Sequence, residues 1–162
     1  MADLARQSLA AQLGAGDPAA RAPGVTVRLI DAGALYLVTD PASDLAPNER
    51  RGDFPYRLWL APDRALLVAG PAPSDGFVSD VTDGFATFEI AGPRAAEIVA
   101  MGCTLDPHGL ALASGRCAQT AFAGVKVVLY AEAAGEKFRL HAERSLAAWL
   151  LEWFTQAASA LP

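Results

Sequence analysis

The chain has 162 residues, of which 52% are hydrophobic and 19% are charged, so it is long enough for one domain with a buried core and short for two. Its formal net charge is −5 and it has no run of Lys or Arg, which disfavours nucleic acid and anionic membrane surfaces as partners. No apolar run approaches the roughly 20 residues that span a bilayer, and the N-terminus lacks the apolar stretch of a signal peptide. We therefore expect a cytoplasmic protein in which Cys103 and Cys117 are reduced.

Residues 1–23 are predicted to form an N-terminal arm and linker that precede a single domain at residues 24–162. Leu4, Leu9 and Leu13 lie among polar residues, a spacing that fits a short amphipathic helix and a loose arm equally well. The stretch that follows them is rich in Gly, Pro and Ala, a composition typical of linkers.

The first half of the domain contains short apolar runs separated by turn residues, which predicts β-strands. The clearest hairpin has Pro62 at the second position of a four-residue type I turn. Asp31-Ala32-Gly33 and Asp83-Gly84 are further turn signals between strands, and the polar, proline-containing residues 41–55 predict a long surface loop. The predicted strands are residues 25–30, 34–38, 56–60, 65–69, 77–81 and 86–90.

The second half of the domain predicts two helices with three strands between them. Gly92-Pro93 begins the first helix, because proline is tolerated in a first turn, and Gly102 suits its C-terminal end. A loop over residues 103–115, strands at about 117–122, 125–131 and 137–141, and a helix at about 144–158 follow. Helices packed on a mostly antiparallel sheet make the predicted fold class α+β.

The apolar face of the last helix is wider than one core requires. Its apolar residues cover an arc of roughly 200°, whereas a helix on a single core needs a stripe only somewhat over about 100° wide. The helix is therefore either buried from two sides in its own fold or exposed along one edge that meets a partner. We predict that Trp149 and Trp153 form the partner-facing flank, with Trp153 favoured, and that Leu146, Leu150 and Phe154 fill the core.

Few residues are arranged for catalysis. His108 and His141 lack the spacing of a zinc site, and we expect His108 at the surface and His141 as a hydrogen-bonded structural residue. The two cysteines have no base near them in sequence. Asp80 and Asp83 flank a turn, where carboxylates usually cap N–H groups, although an acid/base pair is an alternative.

Two arginines stand out as candidates for binding a carboxylate or a phosphate. Arg94 lies in the first turn of a predicted helix, where the helix dipole disfavours a cation, and Arg116 lies just before a predicted strand. The unfavourable position of Arg94 at the start of the helix predicts a specific anionic neighbour, either Glu97 on the same face or a group on another chain. Together with Trp149 and Trp153, both arginines are candidate subunit-interface residues.

A set of short segments in a fixed order carries a resemblance to a known family. From about residue 56 to residue 158, their order and spacing resemble those of the sarcosine oxidase γ-subunit family, while the first 55 residues match only loosely. The sequence departs from the family pattern at Ala61, where glycine is common, and at Ala65, where tryptophan is common. The segments are LWLAPD (58–63), DVTD (80–83), GPRA (92–95), GCTLDPH (102–108), GRCAQT (115–120), FRL (138–140), RS (144–145) and WLLEW (149–153).

The resemblance implies a truncated form of the folate-binding fold of the glycine cleavage T protein. It also implies a heterotetramer in which the chain joins α, β and δ subunits. That complex oxidatively demethylates sarcosine to glycine and passes the one-carbon unit to tetrahydrofolate. In the family, FAD, FMN, NAD and tetrahydrofolate belong to the larger subunits, so we expect no cofactor, no metal and no catalytic residue on this chain.

Two other functions remain open. One is a free-standing folate-binding one-carbon module, for which Asp80 or Asp83 with Phe85 would be the only candidate group. The other is the γ subunit of a related N-methyl amino acid oxidase or dehydrogenase.

Overall fold

A computed structural model of the chain describes residues 18–40, 42–52, 55–74, 76–133 and 135–162. They form two antiparallel β-sheets and two α-helices, which confirms the predicted α+β class. The arm or short helix expected around Leu4, Leu9 and Leu13 lies outside the described residues.

The larger sheet has six strands in the order β1-β2-β8-β11-β10-β9. Alternation along β2 shows how it packs, because Val25, Val27 and Leu29 are buried while the residues between them are not. Every neighbouring pair in this sheet is antiparallel. The strands are β1 (Ala20–Ala22), β2 (Val25–Ile30), β8 (Phe85–Ala91), β9 (Ala118–Phe122), β10 (Val125–Ala133) and β11 (Lys137–Glu143).

The smaller sheet has five strands in the order β4-β5-β6-β3-β7, again all antiparallel. The predicted hairpin is confirmed, since Tyr56 pairs with Val68 and Ala61 with Arg64 around the Pro62 turn. The strands are β3 (Leu35–Thr39), β4 (Arg50–Arg51), β5 (Tyr56–Ala61), β6 (Arg64–Val68) and β7 (Phe77–Asp80).

Both helices, α1 (Ala95–Gly102) and α2 (Ala147–Ala160), contribute to one core with a face of the larger sheet. Leu150 and Phe154 of α2 are fully buried in that core. Gly102 has a packing role as well as ending α1, because any side chain there would collide with the ring of Phe122 in β9.

The other face of the larger sheet packs against the smaller sheet in a second core. Strand β10 belongs to both, since Val127 and Leu129 lie in the helical core while Val128 and Tyr130 lie in the inter-sheet core. A strand covered on both faces loses the alternation of buried and exposed residues, and residues 127–131 are all buried.

Three expectations need correction. The turns at residues 31–34 and 82–84 do not close hairpins, because β2 and β8 lie in the larger sheet while β3 and β7 lie in the smaller one. The surface loop predicted at 41–55 contains strand β4. The glycine-rich linker contains the edge strand β1, so the sheet begins ahead of residue 24. In the first case β2 pairs with β8 and β3 with β7, partners that are distant in sequence. Strands β1 and β4 instead pair with the strands that follow them, β2 and β5, in segments whose composition predicts loops.

Candidate functional site

Three segments meet at one edge of the helical layer: the end of α1, the β9–β10 turn and the start of α2. The main-chain N–H of Ala123 donates to the oxygen of Gly102 at 2.7 Å, and the indole Nε1–H of Trp149 donates to the oxygen of Ala123 at 3.2 Å. Beside these bonds, Met101 is 47% exposed and Trp149 is 53% exposed. We call Met101, Ala123 and Trp149 the helix rim.

The two tryptophans of α2 have different environments. Trp153 packs edge-on against the ring of Phe122, with the ring centroids 5.1 Å apart, and is half-buried against the helical core. Trp149 instead leaves about half of its surface open. The wide apolar arc of α2 is thus partly used within the domain, by Trp153, and partly exposed, at Trp149. The larger apolar surface left for a partner is that of Trp149, which precedes Trp153 by one helical turn.

The prediction that Leu146 fills the core is wrong, because its side chain is 37% exposed. It belongs to the short 3-10 helix Arg144–Leu146, and α2 begins one residue later. A 3-10 turn does not continue the 100° periodicity of the α-helix, so the register drawn for the helix does not extend to this residue.

Arg94 has the anionic neighbour that its position predicts. Its Nε and Nη2 atoms donate to both carboxylate oxygens of Glu97 at 2.7 Å, and its Nη1 donates to the main-chain oxygen of Pro162 at 2.7 Å. The hydrogen bond from Arg94 lowers the pKa of Glu97. The anionic partner is therefore Glu97 on the same chain, and the hydrogen bond from Arg94 to Pro162 connects the start of α1 to the segment after α2.

Arg116 lies between the loop after α1 and strand β9, in an isolated bridge with Glu49. It is half-buried, and it forms no ion pair with the described residues. Among the described residues, no hydrogen bond or ion pair joins Arg116 to Arg94 or to the tryptophans, and their place at a subunit interface stays a prediction.

Charged side chains form a network where the two sheets meet. Glu132 of β10 forms ion pairs with Lys137 and Arg139, each at 3.1 Å. Glu89 of β8 forms ion pairs with the same two cations, at 3.1 and 3.4 Å. The Tyr56 hydroxyl of β5 donates to Glu132 at 2.7 Å, which links the smaller sheet to the larger one. We call Glu89, Glu132, Lys137 and Arg139 the inter-sheet charge network.

The electrostatics of this network keep Glu132 ionised. Burial raises its pKa, but the hydrogen bonds from Tyr56 and Lys137 and the charge of Arg139 outweigh burial, so the pKa of Glu132 lies below its ordinary value. A general acid or base for work near neutral pH needs a carboxyl pKa moved upwards. Glu132 is therefore suited to holding the two sheets together through its hydrogen bond from Tyr56.

His141 has the hydrogen-bonded structural role that the sequence predicts. It is fully buried in β11, with Nδ1 2.9 Å from the Thr87 hydroxyl and Nε2 3.3 Å from the Tyr130 hydroxyl. Burial lowers the pKa of His141 to about 3, with a smaller contribution from the charge of Arg139, so the ring is neutral near pH 7.

Sequence reasoning missed the partners of His141 and the network residues. One signal was available: Lys137, Arg139 and His141 alternate along one strand, which marks a polar sheet face. Because that face packs against a second sheet instead of facing water, its polar groups must pair with one another.

The remaining candidates do not converge on a cleft. Asp80 accepts hydrogen bonds from the main chain and hydroxyl of Thr82 at 3.0 and 2.7 Å, the turn-capping role expected for it, and Asp83 lies 3.7 Å from Arg144. Phe85 lines two cavities, one of about 30 Å³ that Thr82 also lines and one of about 170 Å³ that Gln119 and His141 also line. Known small-molecule sites enclose about 300–1,000 Å³.

The cysteines and His108 match their predictions. Cys103 and Cys117 are both free thiols, and burial raises the pKa of Cys117 to about 11. His108 is exposed. Within the described ranges, no group of three or more His, Cys, Asp or Glu residues is placed to hold a metal ion, and no helix is long and apolar enough to cross a membrane.

Comparison with solved structures identifies a protein with the same architecture. A chain of the heterotetrameric sarcosine oxidase from Corynebacterium sp. U-96, in complex with pyrrole 2-carboxylate, aligns with a TM-score of 0.79 and 25% sequence identity, and the match covers 95% of each chain. The chain resembles a subunit of heterotetrameric sarcosine oxidase. No protein-family model and no curated protein matches the sequence.

The likeness to this sarcosine oxidase chain extends over both sheets and both helices, because 95% of each chain is aligned. The two chains are therefore of similar length. The likeness in three dimensions thus also includes described residues that precede residue 56.

Proposed function

We propose that the chain is the non-catalytic γ subunit of a heterotetrameric sarcosine oxidase, in which it packs against α, β and δ subunits. The observation that carries the proposal is the structural likeness over 95% of both chains. The complex would demethylate sarcosine to glycine oxidatively and transfer the one-carbon unit to tetrahydrofolate.

The side chains of the described residues support a packing role. Glu132 accepts a hydrogen bond from Tyr56 that joins one sheet to the other, and His141 is bonded to Thr87 and Tyr130 within the larger sheet. The helix rim meanwhile presents Met101 and Trp149 to the surface, and exposed aromatic and methionine side chains are enriched at protein interfaces.

The proposal places FAD, FMN, NAD and tetrahydrofolate on the partner subunits. The purified chain is then expected to be colourless, and a flavin absorption band that survives gel filtration of the isolated chain would contradict this. The assignment to sarcosine, as opposed to another N-methyl amino acid, comes from the family resemblance alone. Turnover of the reconstituted complex with each substrate tests it.

The direct test is co-expression with α, β and δ subunits encoded beside it. We expect the four chains to co-elute in gel filtration, with one copy of this chain per complex by native mass spectrometry. Elution of this chain by itself, while the other subunits assemble without it, would reject the proposal.

The alternative of a folate-binding module predicts a different result. Titration of the isolated chain with tetrahydrofolate would then quench tryptophan fluorescence with a saturable curve. The two cavities beside Phe85, of about 30 and 170 Å³, and the capping role of Asp80 do not favour it.

A further inference from the structure

Arg50 lies at the entrance to the space between the two sheets. It pairs with Leu58 as part of β4, the first strand of the smaller sheet, and its main-chain N–H donates to the oxygen of Gly115 at 2.8 Å. Its guanidinium carbon lies 5.0 Å from the ring centroid of Tyr56 and 5.5 Å from that of Tyr130. Two aromatic rings, one from each sheet, therefore hold the guanidinium in a fixed position.

The guanidinium of Arg50 is incompletely paired. Its Nε is buried and has no hydrogen-bond partner, and no carboxylate in the described ranges forms an ion pair with it. The neighbouring Arg51 contrasts with it, because it is bound by both Glu49 and Asp44. Alternate residues of a strand point to opposite faces, so these two acids lie on the face away from Arg50.

Tyr56 connects Arg50 to the inter-sheet charge network without giving it an ionic partner. The hydroxyl of Tyr56, on whose ring Arg50 stacks, donates to Glu132 of the inter-sheet charge network. That network contains two carboxylates and two cations, which pair with one another, and none of these ion pairs includes Arg50.

We propose that Arg50 binds a carboxylate that a partner subunit presents at the entrance between the two sheets. The planar guanidinium has N–H donors spaced to match the two oxygens of a carboxylate, and the rings of Tyr56 and Tyr130 orient these donors before binding. Arg50 is half-buried, so part of its side chain is open to a group from outside. This inference rests on the proposed function, since it names the chemistry of one contact in that assembly.

The experiment measures affinity between this chain and the other three subunits for matched variants. Arg50→Met keeps an apolar stem between the tyrosines but removes the charge, and Arg50→Lys keeps the charge but removes the fork. Arg64→Met is the control, because it removes one positive charge from an exposed position in the same sheet. Thermal unfolding of each isolated variant checks that it folds.

We expect Arg50→Met to weaken assembly roughly tenfold or more and to reduce its dependence on salt, since truncating one member of a desolvated charge pair removes an attraction that salt screens. Arg50→Lys should give an intermediate loss, and Arg64→Met should change affinity less than about twofold. Assembly by Arg50→Met with the affinity and salt dependence of the wild type would overturn the inference while leaving the proposed function intact. Failure of the wild-type chain to assemble would reject both.

A second measurement identifies the source of the carboxylate. The Nε–H resonance of Arg50, assigned by its absence in Arg50→Lys, is followed in the isolated chain by nuclear magnetic resonance. Acetate is then added as the probe, and Asp53→Asn is recorded separately. A partner carboxylate predicts a shift on assembly that Asp53→Asn does not produce. A shift of the Nε–H resonance with acetate but none on assembly assigns the site to a small free carboxylate. A shift in Asp53→Asn assigns the carboxylate to this chain. Either result would overturn the partner assignment.

Discussion

The indole N–H of Trp149 donates to the main-chain oxygen of Ala123 across 3.2 Å, which ties the first turn of α2 to the β9–β10 turn. The bond orients one edge of the ring while about half of the side chain stays exposed. Trp149 is thus held in one orientation and still available to a partner. An aromatic side chain that is already ordered loses little conformational entropy on binding.

Substitutions along α2 should separate folding from assembly. Leu150→Ala should lower the free energy of unfolding by about 2–5 kcal/mol, because it leaves a cavity in the helical core. Trp149→Ala should lower it by less than about 1 kcal/mol but weaken co-elution with the other subunits. Urea unfolding and gel filtration measure the two effects. Equal destabilisation by both variants, with assembly unaffected, would show that Trp149 is an ordinary folding residue.

Trp153→Ala is the matched comparison on the same helix flank. Because its ring packs on Phe122, we expect a stability loss closer to that of Leu150→Ala than to that of Trp149→Ala. A variant that unfolds like the wild type but no longer assembles would restore Trp153 as the favoured interface residue.

The buried His141 should make stability depend on pH. The pKa of His141 is about 3 in the folded chain, and that of a free histidine is about 6.5. Between these values the unfolded chain binds a proton that the folded chain does not, so the free energy of unfolding falls as pH drops below about 6.5. It should be about 2 kcal/mol lower at pH 5 than at pH 7.5.

Urea unfolding between pH 5 and 7.5 measures this dependence. His141→Gln should be less stable at pH 7.5, because Thr87 and Tyr130 lose their shared partner, and its stability should vary less with pH. His108→Gln, at an exposed position, should retain the wild-type dependence. An unchanged slope in His141→Gln would assign the dependence to other groups.

The β9–β10 turn contains backbone strain at Ala123 that a substitution should relieve. Ala123 has φ of 50° and Gly124 has φ of 81°, a left-handed pair in which Asn-Gly is the favoured sequence. Ala123→Asn should raise the free energy of unfolding by about 1 kcal/mol. The bond to Trp149 uses the main chain and is kept. Ala121→Asn, in β9, is the control and should be neutral or destabilising; a gain of equal size there would contradict the strain argument.

The two thiols should react at different rates. Burial raises the pKa of both cysteines, to about 11 for Cys117, and Cys117 is the more buried of the two. In folded protein without reductant, iodoacetamide should modify Cys103 before Cys117, and unfolding should expose both to modification. Mass spectrometry after timed alkylation gives the order, and a Cys103–Cys117 disulfide in fresh protein would contradict the prediction that both are reduced.

Much of the fold was predictable because the signals were local. The Pro62 hairpin, strands β2 and β9 to β11, and the two helices follow from turn chemistry and apolar periodicity, which depend on residues close in sequence. The structural role of His141 was predictable for the same reason, since it lies in a predicted strand with no metal-ligand spacing to His108 or to the cysteines.

Only the tertiary structure decided which strands pair and which surfaces meet. Nothing within a few residues of β2 and β3, or of β7 and β8, shows that each pair is divided between two sheets. The position of Arg50 between Tyr56 and Tyr130, and the contact of Tyr56 with Glu132, likewise depend on the packing of those sheets. A sequence pattern shows how a residue relates to its neighbours along the chain. Burial, strand pairing and pKa depend instead on groups far away in sequence, such as Tyr56 and Glu132, which are 76 residues apart. Such groups meet only when the apolar faces of separate elements pack together and exclude water.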